Sequence, residues 1–181
     1  MSRRLLVSIH LYLAAFFAPI LLMMAISGGL YLLGQKGSIE KTPVPIAIDN
    51  AEIDSDAGIA AMETAVRKLL AAIDPDFRFE YLNVKGSVIY TRPTSRTHYE
   101  IHLGDEPKAS LNEPSLQKRL IELHMGHGPR AFKTFQKAMA AGLILVMLSG
   151  LWLGISSAPL RNSTLLTSGA GLLAFLILAL I

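Results

Sequence analysis

The sequence predicts a membrane protein with an α-helical bundle of three transmembrane helices and one small α+β domain inserted outside the cytoplasm. Hydrophobic residues make up 51% of the 181-residue chain. They concentrate in runs at 5–33, 138–155 and 165–181. About 20 such residues cross the roughly 30 Å hydrocarbon core of a bilayer, so three spans are expected. The segment between the first two runs has the helix and strand periodicities of a small folded domain.

The first span is expected within residues 1–34. Arg3 and Arg4 precede it, and such a positive start is also found in secretory signal peptides. The apolar part of a signal peptide is about 7–15 residues long, whereas this run continues past Gly28 and Gly29. We therefore expect the segment to remain in the protein as a membrane anchor.

Residues 35–55 are predicted to be a linker, because Pro43 and Pro45 block regular helix and favour extended backbone. An α+β domain is expected at 56–128. Its first helix, at about 57–73, has N-cap candidates at 54–56. The apolar positions of this helix recur at intervals of three and four, which predicts one buried face. They are Ile59, Met62, Val66, Leu69, Leu70 and Ile73.

Three strands follow, at 77–84, 87–92 and 97–103, with turn signals between them, and they predict an antiparallel meander. In the first strand, Phe77, Phe79 and Tyr81 are expected on one face. In the third, His98 and His102 face the same way but lie about 13 Å apart, so they cannot share one ion. We expect both to be surface residues of the sheet. A second helix should open at Ser115 and run through LQKRLIELHM.

The remaining segments are a second span at 129–156, a short cytoplasmic loop at 157–163 and a third span at 164–181. The net charge is only +3, and the basic residues lie mostly near membrane ends. They therefore indicate lipid headgroup contacts and no nucleic-acid surface. The chain has no cysteine, which excludes disulfides, thiolate metal sites and iron–sulfur clusters.

A small-residue motif closes both of the first two spans, although these spans run in opposite directions. We assign its residues to helix packing, because small side chains let helices approach closely. The motif comprises Ser27, Gly28 and Gly29 in the first span, and Ser149, Gly150 and Trp152 in the second. The repetition indicates an inverted internal repeat. Ordinary packing of small residues in a bundle explains the same pattern, and the two interpretations are compatible.

With these motifs, the chain resembles the PepSY-associated transmembrane proteins, which include bacterial iron-regulated membrane proteins and siderophore-iron reductases. The resemblance covers nearly the whole chain. It rests on RRLLVSIHLYL followed by AISGGLYLLG, on the helix and strands of the middle segment, and on LHMGHGPRAFKTFQKAMAAGLILVMLSGLWLGI. It implies a PepSY-like middle domain and a location in the bacterial inner membrane. It also favours a cytoplasmic N-terminus and extracytoplasmic residues 34–130. A plain count of flanking basic residues does not favour this orientation, but the rule is weaker for loops longer than about 60 residues, and the first helix usually dominates.

Three histidines are candidate ligands. His10 lies inside the first span, where an ionisable residue is a functional hypothesis by default, although it can also reach the headgroups. His124 and His127 flank Gly126. In a helix they would share a face and chelate one ion, and in a turn the glycines would admit a flat macrocycle. The alternative is an interfacial pair that caps the preceding helix.

The resemblance implies that haem b is bound through such histidines, with His10 and His124 at the matching positions. Gly34 lies about 24 residues beyond His10, or about 36 Å of helix. His10 and the pair His124 and His127 therefore belong to opposite membrane faces. One monomer cannot use them as the two axial ligands of one haem iron. Each site must therefore borrow a ligand from a second subunit or use a weaker ligand that is not histidine. A homodimer would provide two haem sites, each formed by a histidine and its symmetry mate in a four-helix core.

The expected function is electron transfer through haem b to an extracytoplasmic acceptor, which is ferric iron, a siderophore or a redox partner. The donor would be a quinone or a flavoprotein, and the enzyme type, if any, a ferric or siderophore reductase. Two alternatives remain. One is a non-redox PepSY module that binds or regulates a partner. The other is an accessory subunit of a larger membrane complex.

Overall fold

The structure is a computed structural model that describes residues 2–45, 58–104 and 106–181. Its elements in chain order are α1 (Arg3–Leu32), β1 (Ile39–Val44), α2 (Ile59–Ala71), β2 (Tyr81–Lys85), β3 (Val88–Arg92), β4 (His98–His102), β5 (Lys108–Pro114), α3 (Leu116–His124), α4 (Arg130–Ile155) and α5 (Arg161–Leu180). The chain divides into two compact units. One comprises Met1–Leu21 with Lys137–Ile181, and the other comprises Leu22–Gln136.

Helices α1, α4 and α5 are each long and apolar enough to cross a membrane. The prediction of a helical membrane protein with a small sheet domain is confirmed at this level. In the first unit, α1 meets α4 at Gly142, where an added Cβ would overlap the ring of Phe17. None of the described residues of α5 is buried within the chain. Its apolar surface therefore faces lipid or another protein.

The second unit contains a five-stranded antiparallel sheet in the order β1-β5-β4-β3-β2. Helix α2 covers one face of this sheet, because its apolar stripe needs burial against the inward side chains of the strands. The buried core residues are Met62, Val66, Leu70, Phe79, Leu82, Ile89, Tyr99, Ile101 and Ala109. This core holds the domain together and leaves the other face of the sheet for polar groups.

The sheet contains two strands that the sequence pattern did not predict. Residues 39–44, within the expected linker, form the edge strand β1, which pairs with β5. Pro43 is tolerated because β1 is an edge strand. Proline has no N–H to donate to a neighbouring strand, and one side of an edge strand has no neighbour. Strand β5, with the sequence KASLNEP, has little β propensity and pairs on both sides. Tertiary context therefore determines both strands.

Two predicted faces differ in detail from the structure. Ile59, at the start of α2, is exposed, and so is Ile73, which lies beyond the end of the helix at Ala71. The middle of the predicted stripe is buried, and the N-cap candidates at 54–56 lie outside the described residues. In the first predicted strand, Phe79 enters the core but Tyr81 does not. The regular pairing begins only at Tyr81, so the alternation from that residue places Leu82 in the core and Tyr81 on the other face.

Candidate functional site

His10 lies in α1 and contacts the motif that closes α4. Its Nδ1 is 2.8 Å from the hydroxyl oxygen of Ser149. The same hydroxyl donates a hydrogen bond to the carbonyl oxygen of Val146, at 3.1 Å. Next along α4, a Cβ added to Gly150 would lie 3.1 Å from Cε1 of His10. We call His10, Ser149 and Gly150 the His10 site.

His124 ends α3 and contacts the corresponding motif at the end of α1. Its Nδ1 is 3.0 Å from the hydroxyl oxygen of Ser27, and that hydroxyl donates to the carbonyl oxygen of Met24, at 3.1 Å. A Cβ added to Gly28 would lie 3.1 Å from Cε1 of His124. We call His124, Ser27 and Gly28 the His124 site. Each site belongs to one compact unit, and the two share the same local arrangement.

The hydrogen bonds of the two serines determine which imidazole nitrogen carries the proton. A serine hydroxyl has one hydrogen, and in both sites it is donated to the carbonyl three residues earlier. With the hydroxyl hydrogen in that bond, the histidine Nδ1–H is the donor to Ser149 or Ser27. A neutral imidazole with its proton on Nδ1 carries its lone pair on Nε2, the form that binds a metal. A hydrogen bond from the other ring nitrogen is the usual support of a metal-binding histidine.

Sequence and structure explain why His124 and His127 have different surroundings. Helix α3 begins at Ser115, whose hydroxyl accepts from the N–H of Lys118, as expected. It ends at His124, and Gly126 has φ +74°, a conformation that glycine adopts without strain. The N–H of Gly126 donates to the carbonyl of Leu123, and that of His127 to the carbonyl of Glu122. This is a Schellman motif, so the helical alternative in which the two histidines share a face is wrong.

The turn places His127 over α3, where its Nδ1 donates to the carboxylate of Glu122 at 2.8 Å. Glu122 also accepts from the Thr94 hydroxyl at 2.6 Å and from Nζ of Lys118 at 3.0 Å. Burial alone would raise the pKa of Glu122, but the hydrogen bonds from these three partners outweigh it and lower the pKa. Burial lowers the pKa of His127 despite the bond to Glu122.

A cavity of about 430 Å³ lies on the polar face of the sheet, beside this network. We call it the polar basin. Its polar lining includes Tyr90, Arg92, His98, Glu100, Glu122 and His127. The prediction that His98 is a surface residue is wrong: it is 3% exposed, and burial lowers its pKa. His102, whose side chain is 48% exposed, does lie at the surface.

A second, mostly apolar cavity of about 180 Å³ adjoins the His124 site. Tyr31 and Ile121 contribute its apolar wall, and Met125 lines both this cavity and the polar basin. The cavity is smaller than the roughly 300–1,000 Å³ of pockets that enclose a ligand. The cavity therefore offers a ligand one imidazole and an apolar surface, but it is too small to enclose that ligand.

The helix-packing residues of the sequence motif divide into two groups. Ser27 is buried, and Gly28 and Gly150 contact the imidazoles. Gly29 has no heavy atom within 4 Å of an added Cβ, and Trp152 is 63% exposed, so their assignment to helix packing stays a prediction. Successive residues of a helix are rotated by about 100°. Gly29 and Trp152 therefore point away from the faces of α1 and α4 that contact His124 and His10.

Sequence reasoning did not find the polar basin or the serine partners of the histidines. The serines were recognised as part of a repeat, but a contact between residues 97 or 139 positions apart leaves no local signal. The basin had one indication, a lysine at 118 and a glutamate at 122 on one face of a predicted helix. Arg92, which is 5% exposed, ends a strand and resembles an ordinary turn residue in sequence.

Comparison with protein-family models, curated proteins and solved structures gives no match. Among the residues that the structure describes, no group of three or more histidine, cysteine, aspartate or glutamate side chains could hold a metal ion.

Proposed function

We propose that the protein is a membrane electron carrier that binds haem b through Nε2 of His10 and of His124. The supporting observation is the repeated arrangement of imidazole, serine and glycine, which leaves the metal-binding nitrogen of each histidine without a partner among the described residues. The resemblance to PepSY-associated transmembrane proteins points to the same two histidines. Haem iron supplies one-electron chemistry when bound.

The residues of this chain would hold and orient the group. Ser149 and Ser27 fix the tautomer and the ring direction, as the outer partners of metal-binding histidines do. Gly150 and Gly28 leave room for the imidazole at the helix surface. At the His124 site, Tyr31 supplies apolar surface for a flat macrocycle. These features fit an axial ligand to haem.

A homodimer would complete each site. The cavity at the His124 site does not enclose a ligand, and α5 and much of α1 expose apolar side chains. A second copy would add a symmetry-related histidine as the second axial ligand and cover part of this surface. We assign His127 to the polar basin and not to haem, because its side chain lines that cavity and not the one beside His124.

The proposed orientation has a cytoplasmic N-terminus and extracytoplasmic residues 34–130. Electrons would then pass from the cytoplasm, a quinone or a flavoprotein to ferric iron, a siderophore or a redox partner outside. A ferric or siderophore reductase is the enzyme type that this route implies.

The first experiment is an absorption spectrum of the detergent-purified protein, air-oxidised and then reduced with dithionite, with haem quantified as the pyridine haemochrome. We expect a Soret band, sharp reduced α and β bands, and about one haem per chain for two sites per dimer. A featureless spectrum after expression with added haem would contradict the proposal. It would favour the non-redox interaction module.

Single variants test the assignment of the ligands. His10→Ala and His124→Ala should each remove about half of the haem. His102→Ala is the matched control, since the His102 side chain is 48% exposed and hydrogen-bonds to Glu100, and it should retain full haem content. If His102→Ala loses as much haem as the other two variants, the loss reflects instability of the protein and the assignment fails.

The mass of the detergent-solubilised complex tests the dimer. Haem-loaded protein should sediment as two chains, and the His10→Ala/His124→Ala double variant should shift toward one chain if haem bridges the copies. A monomer with a full haem complement would exclude shared axial ligands and require a second ligand from within the chain.

A further inference from the structure

The polar basin carries more positive charge than its own carboxylates balance. Lys41, Lys85, Arg92 and Lys118 are the cationic residues of its described lining, against the carboxylates Glu100 and Glu122. A cavity whose lining carries an excess of positive charge attracts anions and raises their local concentration, because the protein around it has a low dielectric constant. An anion is therefore the class of ligand that the basin favours.

Both carboxylates are already engaged. Glu100 accepts from Nζ of Lys41 at 2.9 Å, from His102 at 2.7 Å and from the amide of Asn112 at 2.7 Å. Glu122 accepts from Thr94, Lys118 and His127. Lys41 and Lys118 therefore hydrogen-bond to these carboxylates, whereas the two other cations of the basin do not.

These two residues are Arg92 and Lys85. The Arg92 guanidinium donates to neutral groups, the Thr94 hydroxyl at 2.5 Å and the amide oxygen of Asn83 at 3.1 Å. It forms a long ion pair with Glu122, at 3.7 Å, which is beyond good hydrogen-bond distance. It is 5% exposed, and burial lowers its pKa. The Lys85 side chain makes no hydrogen bond or ion pair with another described residue.

The basin also offers neutral acceptors and donors. His98 donates from Nδ1 to the carbonyl of Arg96 at 2.8 Å, and His127 donates from Nδ1 to Glu122. In both rings Nε2 is left as an acceptor while the ring is neutral. Burial raises the pKa of Tyr90, so its hydroxyl keeps a proton to donate. Two acceptor nitrogens near cations that no carboxylate of the basin hydrogen-bonds suit a ligand whose anionic group stands beside a hydroxyl.

We propose that the polar basin binds a small 2-hydroxycarboxylate, with its carboxylate toward Arg92 and Lys85 and its hydroxyl donating to a histidine Nε2. The volume of about 430 Å³ lies within the range of small-molecule sites. The site does not include His10 or His124, so it does not depend on haem.

Calorimetric titration of the full-length protein in a non-ionic detergent tests this assignment. The probes are L-malate, succinate, which lacks the hydroxyl, and inorganic phosphate. We expect malate to bind about tenfold more tightly than succinate, because the hydroxyl satisfies an acceptor that succinate leaves unpaired. Equal affinity for malate and succinate, equal affinity for phosphate and malate, or no heat with any probe would overturn the proposal.

A pair of lysine variants separates the basin from general surface charge. Lys85→Gln should weaken malate binding about tenfold by removing one charge-assisted hydrogen bond, and Lys85→Arg should restore most of it. Lys108→Gln is the control, since that lysine is 72% exposed and pairs with Glu106 away from the basin. A similar loss in both glutamine variants would overturn the proposal. Haem content, measured on the same samples, should not change, so failure of this site and failure of the haem proposal are distinguishable.

Discussion

At the scale of single residues, two adjacent glycines at the end of α1 have opposite surroundings. An added Cβ at Gly28 would lie 3.1 Å from Cε1 of His124, whereas one at Gly29 would have nothing within 4 Å. A distance of 3.1 Å is closer than ordinary carbon contacts of about 3.5–4.0 Å, so the imidazole must move by a few tenths of an ångström. The pair therefore separates a local effect on the histidine from a general effect of alanine in the helix.

We predict that Gly28→Ala shifts His124, weakens its hydrogen bond to Ser27 and lowers haem content at this site. Gly29→Ala should leave haem content unchanged and slightly stabilise the helix, because alanine has the higher helix propensity. Pyridine haemochrome analysis of the two variants at equal protein concentration measures the difference. Equal haem content in both would show that close contact at Gly28 does not position the ligand.

At the scale of elements, the structure shows which features of the sequence carry enough signal. The spans were predicted because a long apolar run is itself sufficient to define them, and α3 because Ser115 marks its start. Strand β5 was not predicted, because its polar sequence has little β propensity. It becomes a strand through pairing with its two neighbours in the sheet. The histidine ligands could be proposed from sequence, but their serine partners could not, because those contacts form only when distant segments fold together.

The Schellman motif at the end of α3 gives a prediction about Gly126. Its φ of +74° is strained for a residue with a Cβ, so Gly126→Ala should destabilise the turn by about 1–2 kcal/mol. The expected result is faster amide hydrogen exchange in α3 and at His127 in the full-length protein. Gly169→Ala is the control, because it lies in α5 with nothing within 4 Å of an added Cβ. Unchanged exchange in Gly126→Ala would show that α3 can end another way.

The polar face of the sheet gives a pH-dependent prediction. The pKa of His98 lies below its ordinary value of 6.5, chiefly through burial, so the unfolded chain binds a proton below pH 6.5 that the folded chain does not. The pKa of Glu100 lies below 4.5, because its hydrogen bonds outweigh burial, which acts to raise it. Both shifts have the same sign: stability is retained above the ordinary pKa and lost as the pH falls.

We therefore expect the domain to open more readily at pH 5.5 than at 7.5, with a further loss below about pH 4.5. Hydrogen exchange of β3 and β4, corrected for the intrinsic effect of pH on exchange, measures this opening. His98→Asn keeps a donor for the carbonyl of Arg96 but does not titrate, so it should reduce the change between pH 7.5 and 5.5. His102→Asn should not reduce the change between pH 7.5 and 5.5. An identical pH dependence in both variants would exclude His98 as the group responsible.

At the scale of the whole molecule, the function depends on which side of the membrane each segment occupies. Charge counting alone does not decide this, because the loop at 34–130 exceeds the length of about 60 residues over which positive charges reliably orient a span. The proposed electron route requires the sheet domain outside and both Arg3 and Arg161 inside. Helices α1 and α4 are each long and apolar enough to cross the membrane. If both cross it, residues before α1 and residues after α4 lie on one side and the sheet domain on the other.

The absence of cysteine allows this orientation to be tested with single introduced thiols. We predict that a membrane-impermeant maleimide labels Glu106→Cys in intact cells, because residue 106 belongs to the sheet domain and is exposed. Ser2→Cys and Ala158→Cys, which precede α1 and join α4 to α5, should be labelled only after permeabilisation. The reverse pattern would direct electrons toward the cytoplasm and invert the proposed route. Labelling of all three in intact cells would mean that α1 and α4 do not cross the membrane, and the haem sites would then lie on a single face.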